Sequence, residues 1–318
     1  MSLNELKISV IVPTFMREEI LVETLNYLWA QDFPTSRYEV ILVDQTPQHN
    51  SGVEEALTGM GERENFTWLR AKGWANLPAA RNRGIEVANG DYVVFVDDDV
   101  VLDADFLQQV VRAFEESGAD SVVGPVLMRP EKEPESVKDG VSQEGDEMGV
   151  LESRWVSAGR GCNMSFRRAI FQGDNPLWFD HRYLGNAILE ETDVFTRLSA
   201  VGGRVWLDDR IPLIHLADRV GGCRAATFKD GKRLPKHFPL YFHNHFLYGV
   251  KQHGVSGLRA AFHQFRMLGE SKSMKGIRVL FLGAAFFSGL FKLLVTFSKG
   301  EWDWEKISGK RFLVSKPT

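Results

Sequence analysis

Residues 91–101 read Asp91-Tyr92-Val93-Val94-Phe95-Val96-Asp97-Asp98-Asp99-Val100-Val101. The five β-branched or aromatic residues from Tyr92 to Val96 are typical of a strand buried on both faces, as in the middle of a parallel sheet. Three adjacent carboxylates follow, and they repel one another unless a cation lies among them. Oxygen-rich sites favour Mg²⁺ or Mn²⁺, and open α/β sheets bind ligands beyond the carboxyl ends of their strands. The segment therefore predicts a cation site at the end of a central strand, with a solvated acidic turn as the alternative.

The composition is that of a globular protein with a sizeable core. The chain has 318 residues, of which 44% are hydrophobic, and its formal net charge is -4. This mild charge argues against a surface that binds nucleic acid. The two cysteines, Cys162 and Cys223, are too few for a disulfide framework and suit a reducing compartment. Residues 1–7 lack the apolar core of a signal peptide, so we expect a cytoplasmic protein.

Strands and helices alternate along the first 120 residues of the sequence. We predict strands at 8–12, 39–43, 66–69 and 92–96, and helices at 20–29, 78–89 and 104–117. This alternation implies right-handed crossovers and an α/β fold with a Rossmann-like, largely parallel sheet flanked by helices. The strand-end residues would then lie along one edge of the sheet; they are Pro13, Thr14, Asp44 and Asp97 to Asp99.

Two kinds of polar residue near that edge suit a nucleotide. Asp44 could accept a hydrogen bond from a base or a ribose, although a role in a turn or helix cap explains it equally well. Arg81 lies early in its predicted helix, and a guanidinium fork fits a diphosphate. Arg83 is better explained as solvated surface charge.

The middle of the chain changes character. Residues 129–152 are charged, contain Pro and Gly and lack a period, so they predict a mobile loop of the kind that often covers an active site. Gly159–Phe166 then combines alternation with small residues. This pattern predicts a strand that passes close to another group, or an ordinary strand with a glycine bulge.

A second acidic group lies at 189–198. Val194, Phe195 and Leu198 have helical spacing, which places Glu190, Glu191 and Asp193 in the first turn of a helix. The helix dipole alone would favour negative charge there, but one of these carboxylates could also serve as a general base. Further on, His215 ends the apolar run at 211–216 and is either a core residue or a metal or phosphate ligand.

Several motifs resemble, in their order along the chain, those of the inverting glycosyltransferases of family 2. They are Val10–Phe15, Val43-Asp44, Pro78–Ile85, Phe95–Asp99, Gly161–Arg168, and Glu190–Asp193 with Arg197-Leu198. Phe95–Asp99 matches the Asp-x-Asp metal signature of that family, and Glu190–Asp193 is similar to its Glu-Asp base motif. The resemblance covers approximately residues 7–220. It implies a GT-A fold, a nucleotide-sugar donor and a divalent cation.

The resemblance also implies roles for individual residues. Those implied to bind the nucleotide-sugar are Pro13, Thr14, Asp44, Arg81, Asp97 and Asp98. Those implied to hold Mn²⁺ or Mg²⁺ are Asp97, Asp99 and His215, and those on the acceptor side are Gly161, Asn163 and Glu190. Glu191 occupies the position of the catalytic base. Because the family often has Asp at that position, Glu190 and Asp193 remain alternatives.

The implied reaction is a single displacement that inverts the anomeric carbon. A carboxylate takes the proton from the acceptor hydroxyl while the leaving diphosphate is stabilised by the metal. The donor would be a UDP-, GDP- or dTDP-sugar, and the acceptor a glycan or lipid-linked hydroxyl in polysaccharide, glycolipid or cell-envelope synthesis. A sugar-phosphate nucleotidyltransferase should carry a glycine-rich basic loop, which residues 13–19 are not. A non-catalytic nucleotide-binding protein would lack the carboxylates that this chain keeps.

We expect a catalytic domain at 1–225, with a nucleotide-sugar half at about 1–125 and an acceptor half at about 155–225. Residues 226–318 would form a helical extension, in which 237–246 resembles an aromatic helix found in some family members. The apolar stretch 277–297 is interrupted by Lys292, which leaves it shorter than the ~20 residues of a spanning helix. It therefore predicts a helix lying on the inner face of a membrane, or one packed on the catalytic domain or a homodimer partner.

Overall fold

The computed structural model describes residues 7–71, 75–128, 152–218, 220–222, 228–229, 232–233, 237–257 and 279–298. They form two compact units. The first lies within 1–75, 80–173 and 195–222, and the second within 76–79, 174–194 and 223–318. Of the loop predicted at 129–152, all but the last residue lies outside the described residues.

An eight-stranded sheet forms the centre of the first unit. Its strands, in chain order, are β1 (Ile8–Thr14), β2 (Tyr38–Asp44), β3 (Phe66–Arg70), β4 (Tyr92–Val96), β6 (Ser121–Val123), β8 (Arg154–Val156), β9 (Asn163–Arg167) and β10 (Val205–Leu207). Their spatial order is β3-β2-β1-β4-β9-β6-β10-β8, and β3, β2, β1 and β4 are mutually parallel. The strands and the α/β class predicted for the first hundred residues are thus confirmed.

Helices cover both faces of the parallel half. They are α1 (Glu19–Trp29), α2 (Ser51–Met60), α3 (Leu77–Val87) and α4 (Phe106–Ser117). One face of β1, β2 and β4 packs with α1, α2 and α4 in a single hydrophobic core. On the other face α3 approaches β1 so closely that a Cβ on Gly84 would lie 2.4 Å from the Ile11 side chain. Glycine is therefore needed at position 84.

The other half of the sheet is mixed, which the alternation of elements did not predict. β9 runs antiparallel to both of its neighbours, β4 and β6, and β8 runs antiparallel to β10. Only β6 and β10 are parallel there. An antiparallel strand needs no helical crossover, so the order of elements carries no signal for its direction. The predicted strand at 159–166 begins at Asn163 because residues 160–163 form a turn, in which Asn163 N–H donates to Arg160 O (3.0 Å).

A second, three-stranded sheet lies in the same unit. It consists of β5 (Val100–Leu102), β7 (Val126–Met128) and β11 (Leu213–His215), in the order β5-β11-β7. β11 pairs antiparallel with β5, with His215 opposite Val100. This pairing brings a residue from the end of the unit next to the triple aspartate.

Two long helices lie in the described part of the second unit, α6 (His237–His253) and α7 (Val279–Ser298). A short hairpin of β12 (Phe228–Lys229) and β13 (Lys232–Arg233) belongs to it as well. The ring of Phe286 on α7 packs edge-to-face against Phe242 and Phe246 on α6, at centroid distances of 5.4 and 5.0 Å. The predicted aromatic helix is therefore present and has α7 as its partner. Within the described part of the chain, no helix combines the length and apolarity needed to cross a membrane.

Candidate active site

The carboxyl ends of β1, β2 and β4 lie at one edge of the large sheet. Thr14 is the register partner of Asp44, and β4 lies alongside β1 with Phe95 opposite Ile11. The hydroxyl of Thr14 donates to the Asp98 carboxylate (2.6 Å). The structure thus brings together the strand-end residues that the sequence analysis placed along one edge.

Asp97, Asp99 and His215, which we call the Asp–His cluster, converge at this edge. His215 Nε2 lies 3.1 Å from Asp99 Oδ1 and 3.6 Å from Asp97 Oδ2. The Leu216 N–H donates to the backbone carbonyl of Asp99 (2.8 Å), so the end of β11 is fixed against the turn after β4. One ligand atom from each of the three cluster residues lies within 4.8 Å of the others.

The geometry of the Asp–His cluster fits a divalent cation. Oxygens bound to Mg²⁺ at 2.0–2.1 Å in an octahedron are about 3 Å apart when adjacent. The imidazole–carboxylate separations of 3.1 and 3.6 Å are close to that spacing. Two carboxylates suit Mg²⁺ or Mn²⁺, and an imidazole adds a nitrogen ligand that transition metals accept readily.

Arg17, which the sequence analysis did not single out, links the triple aspartate to the end of the unit. It is 4% exposed. Its Nε donates to Asp98 (3.1 Å), its Nη2 donates to Asp99 (2.8 Å), and its Nη1 pairs with Asp218 (3.2 Å). Of residues 13–19, the sequence analysis assigns a role only to Pro13 and Thr14, and it finds no glycine-rich loop there. The sequence could have indicated Arg17 only as a basic residue that closely follows the first strand.

The chain beyond β11 folds back onto the loop that carries Arg17. The Gly222 N–H donates to the backbone carbonyl of Phe15 (2.6 Å). Gly221 has a φ of +79°, and a Cβ on it would lie 2.1 Å from the carbonyl oxygen of Met16. Glycine is therefore required at 221 both by the backbone conformation and by the close approach. The two glycines let this segment close over Arg17.

The adjacent carboxylates Asp98 and Asp99 differ in their electrostatics. Burial raises the pKa of Asp98 to about 7, although Arg17 opposes the shift. Burial also acts to raise the pKa of Asp99, but the hydrogen bond from His215 and the charges of His215 and Arg17 outweigh it, so this pKa is lowered. Asp99 is therefore the more firmly anionic of the two, as a metal ligand should be.

Arg81 lies beside Asp97 of the Asp–His cluster. It is 2% exposed, donates from Nη2 to the Gly161 carbonyl (3.0 Å) and lies 3.9 Å from Asp97. Burial raises the pKa of Asp97, against the charges of His215 and Arg81. A Cβ at position 161 would lie 2.8 Å from Arg81 Nη2. Gly161 thus belongs to the surroundings of the guanidinium, and its predicted role toward the acceptor stays a prediction.

Asn163 ties three segments of the first unit together. Its side-chain amide donates to the carbonyls of Pro125 (3.1 Å) and Ile211 (2.8 Å), and the residue is 1% exposed. It fixes the turn before β7 and the start of the β11 segment. Its predicted place on the acceptor side remains a prediction.

Asp44 is enclosed by protein groups. Its carboxylate accepts hydrogen bonds from Thr46 N–H (2.8 Å) and Trp68 Nε1 (3.0 Å), and His49 Nε2 lies 3.1 Å away. The other ring nitrogen of His49 lies 3.2 Å from Glu18. The sequence analysis missed both His49 and Trp68, which carry no local motif. Together with Asp44 they form a hydrogen-bonded polar cluster at the carboxyl end of β2.

The second acidic group lies in the second unit and begins α5 (Glu190–Ala200). Glu190 and Asp193 are buried, whereas Glu191 is only half-buried. Asp193 accepts a hydrogen bond from Lys251 Nζ (2.8 Å). Among the three candidate bases, Glu191 is therefore the most accessible, and Asp193 is held in a buried ion pair.

The family model described as Glycosyl transferase family 2 matches residues 9–173, about half of the chain. Among curated relatives, GlyG of Streptococcus pneumoniae is 32% identical over 37% of this chain and 38% of its own length. ExoM of Rhizobium meliloti, a succinoglycan biosynthesis protein, is 28% identical over 65% of this chain and 68% of its own length. TarP of Staphylococcus aureus, a poly(ribitol-phosphate) β-N-acetylglucosaminyltransferase, is 28% identical over 37% and 36%. The chain thus spans between about a third and two thirds of these relatives.

Solved structures with the same fold include residues 1–349 of S. aureus TarS in complex with UDP-GlcNAc. This structure has a TM-score of 0.62 at 16% identity and covers 91% of this chain and 81% of its own. The mannosyltransferase PcManGT from Pyrobaculum calidifontis, in complex with GDP-Man and Mn²⁺, has a TM-score of 0.53 at 14% identity over 91% and 87%. At these identities the likeness establishes the fold, and it confirms the predicted GT-A class.

Proposed function

Because this chain belongs to glycosyl transferase family 2, we propose that it transfers a sugar from a nucleotide-sugar to an acceptor hydroxyl, with a divalent cation and with inversion. The observation that carries the proposal is the Asp–His cluster at the carboxyl ends of β1, β2 and β4. This is the edge at which open α/β sheets bind their ligands. The catalytic region that we propose is 1–225, with 226–318 as its helical extension.

The residues that would hold the cation are Asp97, Asp99 and His215. The mixed set of two carboxylates and one imidazole favours Mn²⁺ over Mg²⁺, since imidazole is a better ligand for transition metals. When bound, the cation would supply positive charge to the diphosphate leaving group. The structure of PcManGT with GDP-Man and Mn²⁺ supports this choice.

The nucleotide-sugar would lie along the strand-end edge. The residues that we assign to it are Pro13, Thr14, Asp44, Arg81, Asp97 and Asp98. Arg81 presents a buried positive charge beside Asp97, where a diphosphate would meet it. The complexes of TarS with UDP-GlcNAc and of PcManGT with GDP-Man make UDP- and GDP-sugars the first donors to test, with dTDP-sugars as the third.

Glu191 is the residue that we assign as general base. A base must reach the acceptor hydroxyl, and Glu191 is more accessible than Glu190 or Asp193. Its place in the first turn of α5 stabilises the carboxylate through the helix dipole. Proton removal by Glu191 on the face opposite the leaving group gives one displacement and therefore inversion. Glu190, with Gly161 and Asn163, is assigned to the acceptor side.

The acceptor that we propose is a bacterial-type surface glycan or a lipid-linked precursor of one. Relatives of this chain are named for succinoglycan biosynthesis and for poly(ribitol-phosphate) glycosylation. Both names describe polymers built from hydroxyl-rich units. The chain would therefore act in polysaccharide, glycolipid or cell-envelope glycan synthesis.

We further propose that α7 lies on the inner face of an anionic membrane. Phe287, Phe291 and Leu294 are more than half exposed and follow one another at helical spacing along one side of α7. Lys292 is exposed on the same helix, and Lys272, Lys275, Lys299 and Lys310 flank it in the sequence. Exposed aromatic side chains combined with nearby lysines suit the interface of an anionic bilayer.

A donor hydrolysis assay tests the proposed function. The purified chain is incubated with UDP-, GDP- and dTDP-sugars in Mn²⁺, in Mg²⁺ and in chelator, and free nucleotide is measured. We expect slow hydrolysis of one donor class that depends on the metal. Release of pyrophosphate from a nucleoside triphosphate and a sugar phosphate would instead identify a nucleotidyltransferase. Nucleotide binding without turnover of any donor would identify a non-catalytic binding protein.

A further inference from the structure

Lys251 near the end of α6 is the centre of a buried group of charges in the second unit. Its Nζ donates to Asp180 (2.8 Å) and to Asp193 (2.8 Å). Arg182 forms a two-point pair with Asp180, at 2.8 Å from Nε and 2.5 Å from Nη2. Asp180 and Asp193 are both fully buried, and Lys251 is 4% exposed. We call these four residues the lysine cluster.

A second side chain of α6 holds the same segment of chain. Asn244 lies two helical turns before Lys251, and the two are therefore on one face of the helix. Its amide donates to the Leu184 carbonyl (3.0 Å), and its carbonyl accepts from the Leu184 N–H (3.0 Å). Gly185, with a φ of +67°, comes so close to α6 that a Cβ on it would lie 2.8 Å from Leu240. The α6 face thus fixes residues 180–185.

Asn76 holds this segment from another element of the second unit. Its side-chain amide donates to the carbonyls of His181 (3.0 Å) and Tyr183 (3.2 Å). Its side-chain oxygen accepts from the Ala79 N–H (2.9 Å) at the start of α3. Three polar side chains from outside the segment therefore converge on the residues that precede the acidic turn.

The backbone that leads into the acidic turn is strained. Ala187 and Leu189 have φ values of +52° and +73°, a region that residues with a Cβ rarely adopt. Such residues persist where the surroundings hold them, and they are concentrated at functional sites. Leu189 directly precedes Glu190, and its carbonyl accepts from the Asp193 N–H (2.9 Å). The position of the acidic turn therefore depends on contacts outside it.

We propose that Lys251 is a positioning residue for the transfer reaction, which acts by fixing the first turn of α5 through Asp193 and thereby placing Glu191. This inference rests on the proposed function, because it presumes that Glu191 removes the acceptor proton. Through Lys251, α6 would then help to position the general base. A well-packed apolar core is often as stable as a buried ion group, which favours a role for the lysine cluster in geometry.

The test compares three variants with the wild type. Lys251→Met removes the charge and keeps most of the length, Lys251→Arg keeps the charge, and Lys7→Met is the matched control. Lys7 pairs with Asp91 at 3.1 Å, but the Asp91 side chain is 48% exposed, so this pair should contribute little. For each protein we would measure kcat for transfer, nucleotide affinity in Mn²⁺, and amide hydrogen exchange in the peptide that contains residues 186–195.

A displaced base lowers kcat without affecting donor binding. We expect Lys251→Met to lose on the order of 10²-fold in kcat, as small displacements of reacting groups do. Nucleotide affinity should be unchanged, exchange at the start of α5 should rise, and Lys251→Arg should recover part of kcat. Lys7→Met should match the wild type in all three measurements. A merely stabilising lysine would instead leave kcat unchanged in the fraction of protein that is folded.

The outcomes separate this inference from the proposed function. A wild type that transfers sugar, together with a Lys251→Met variant of equal kcat, overturns the inference and leaves the function standing. A wild type that binds nucleotide but transfers no sugar overturns both. If Lys251→Met does not fold, the double variant Lys251→Met with Asp193→Asn carries the test, since it removes both charges of the pair. Wild-type kcat in the double variant would then contradict the inference.

Discussion

The two acidic groups of this chain are alike in sequence and different in structure. In each, three carboxylates occur within four residues, and a buried basic side chain binds some of them: Arg17 in the first group and Lys251 in the second. In the first group Asp99 both pairs with Arg17 and faces His215, so one residue belongs to a buried ion pair and to the proposed metal site. In the second group Asp193 takes the ion pair and leaves Glu191 accessible.

The difference shows where mutagenesis can separate function from stability. A substitution at Asp99 would disturb the Arg17 pair as well as the proposed metal site. Asp97 is the cleaner target, because it is 31% exposed and its contacts to His215 and Arg81 are longer, at 3.6 and 3.9 Å. In the second group the buried ion pair falls on Asp193 and the proposed proton transfer on Glu191. The predictions below use this separation, in order of the effect that we expect.

The largest effect should follow Glu191→Gln. The amide keeps the size of the side chain but cannot take a proton, so kcat for transfer should fall by about 10²–10⁴-fold. Nucleotide affinity should stay at the wild-type value, because Glu191 is assigned to the acceptor proton and not to the donor. Steady-state transfer kinetics with calorimetry of nucleotide binding would measure this. Transfer at the wild-type rate would remove Glu191 as the base and make the second group wholly structural.

Asp193→Asn should differ from Glu191→Gln by lowering stability, while its effect on kcat should be the smaller one, through the position of Glu191. The substitution replaces one of the two buried carboxylates that bind Lys251 Nζ with a neutral amide. Because Asp180 still binds the lysine, the cost should stay below the loss of about 3–5 kcal/mol that is typical of a fully broken buried pair. The structure thus adds a buried ion pair to the two explanations that the sequence analysis gave for Asp193, the helix dipole and an alternative base. Urea unfolding followed by fluorescence would measure the loss. A stable Asp193→Asn variant without transfer activity, together with a Glu191→Gln variant that transfers at the wild-type rate, would identify Asp193 as the base.

Acid should lower the stability of the second unit through His245. Burial lowers the pKa of His245, on α6, to about 4. A histidine whose pKa is depressed on folding contributes stability above its unfolded pKa of about 6.5 and loses it as the pH falls toward 4. The contribution is at most about 3 kcal/mol. The unfolding free energy should fall less between pH 7 and pH 5 in His245→Phe than in the wild type. An equal fall in the two proteins would contradict the assignment.

The smallest effect concerns the exposed side of α7. Replacing Phe287 and Phe291 with Ser should reduce recovery with anionic vesicles in a flotation assay, since each aromatic ring contributes only part of the binding free energy. Transfer to a water-soluble acceptor should not change. Equal recovery of the double variant and the wild type would reject the membrane contact. Loss of a dimer in the variant, measured by light scattering without lipid, would identify this side as a protein interface.

The local sequence patterns account for the parallel half of the sheet. Burial leaves a direct pattern in the sequence, as in the apolar run Tyr92–Val96 and the helical spacing of Phe106–Ser117. Both elements lie where they were predicted. The antiparallel direction of β9 was not predictable in this way, because it depends on pairing with β4 and β6 at long range. Periodicity reports which face is buried but not which strand lies beside it.

The candidate site was predictable only in part for the same reason. The triple aspartate is recognisable because it directly follows a buried strand. His215 stands out as the end of an apolar run, and the family resemblance was needed to join it to the aspartates. Arg17 and Lys251 stand alone in the sequence, 81 and 58 residues from carboxylates that they bind. Nothing local distinguishes them from surface charges. Their burial, and hence their role, exists only once the strands and helices are packed.

Calorimetry of nucleotide binding tests the central claim most directly. UDP and GDP are titrated into the wild type and Asp97→Asn, each with Mn²⁺ and with chelator. If Asp97, Asp99 and His215 share a cation with the donor diphosphate, wild-type affinity should fall on the order of 10²-fold in chelator and return with Mn²⁺. Asp97→Asn should bind weakly with or without metal. Equal wild-type affinity in Mn²⁺ and in chelator would contradict the metal site and the mechanism that depends on it.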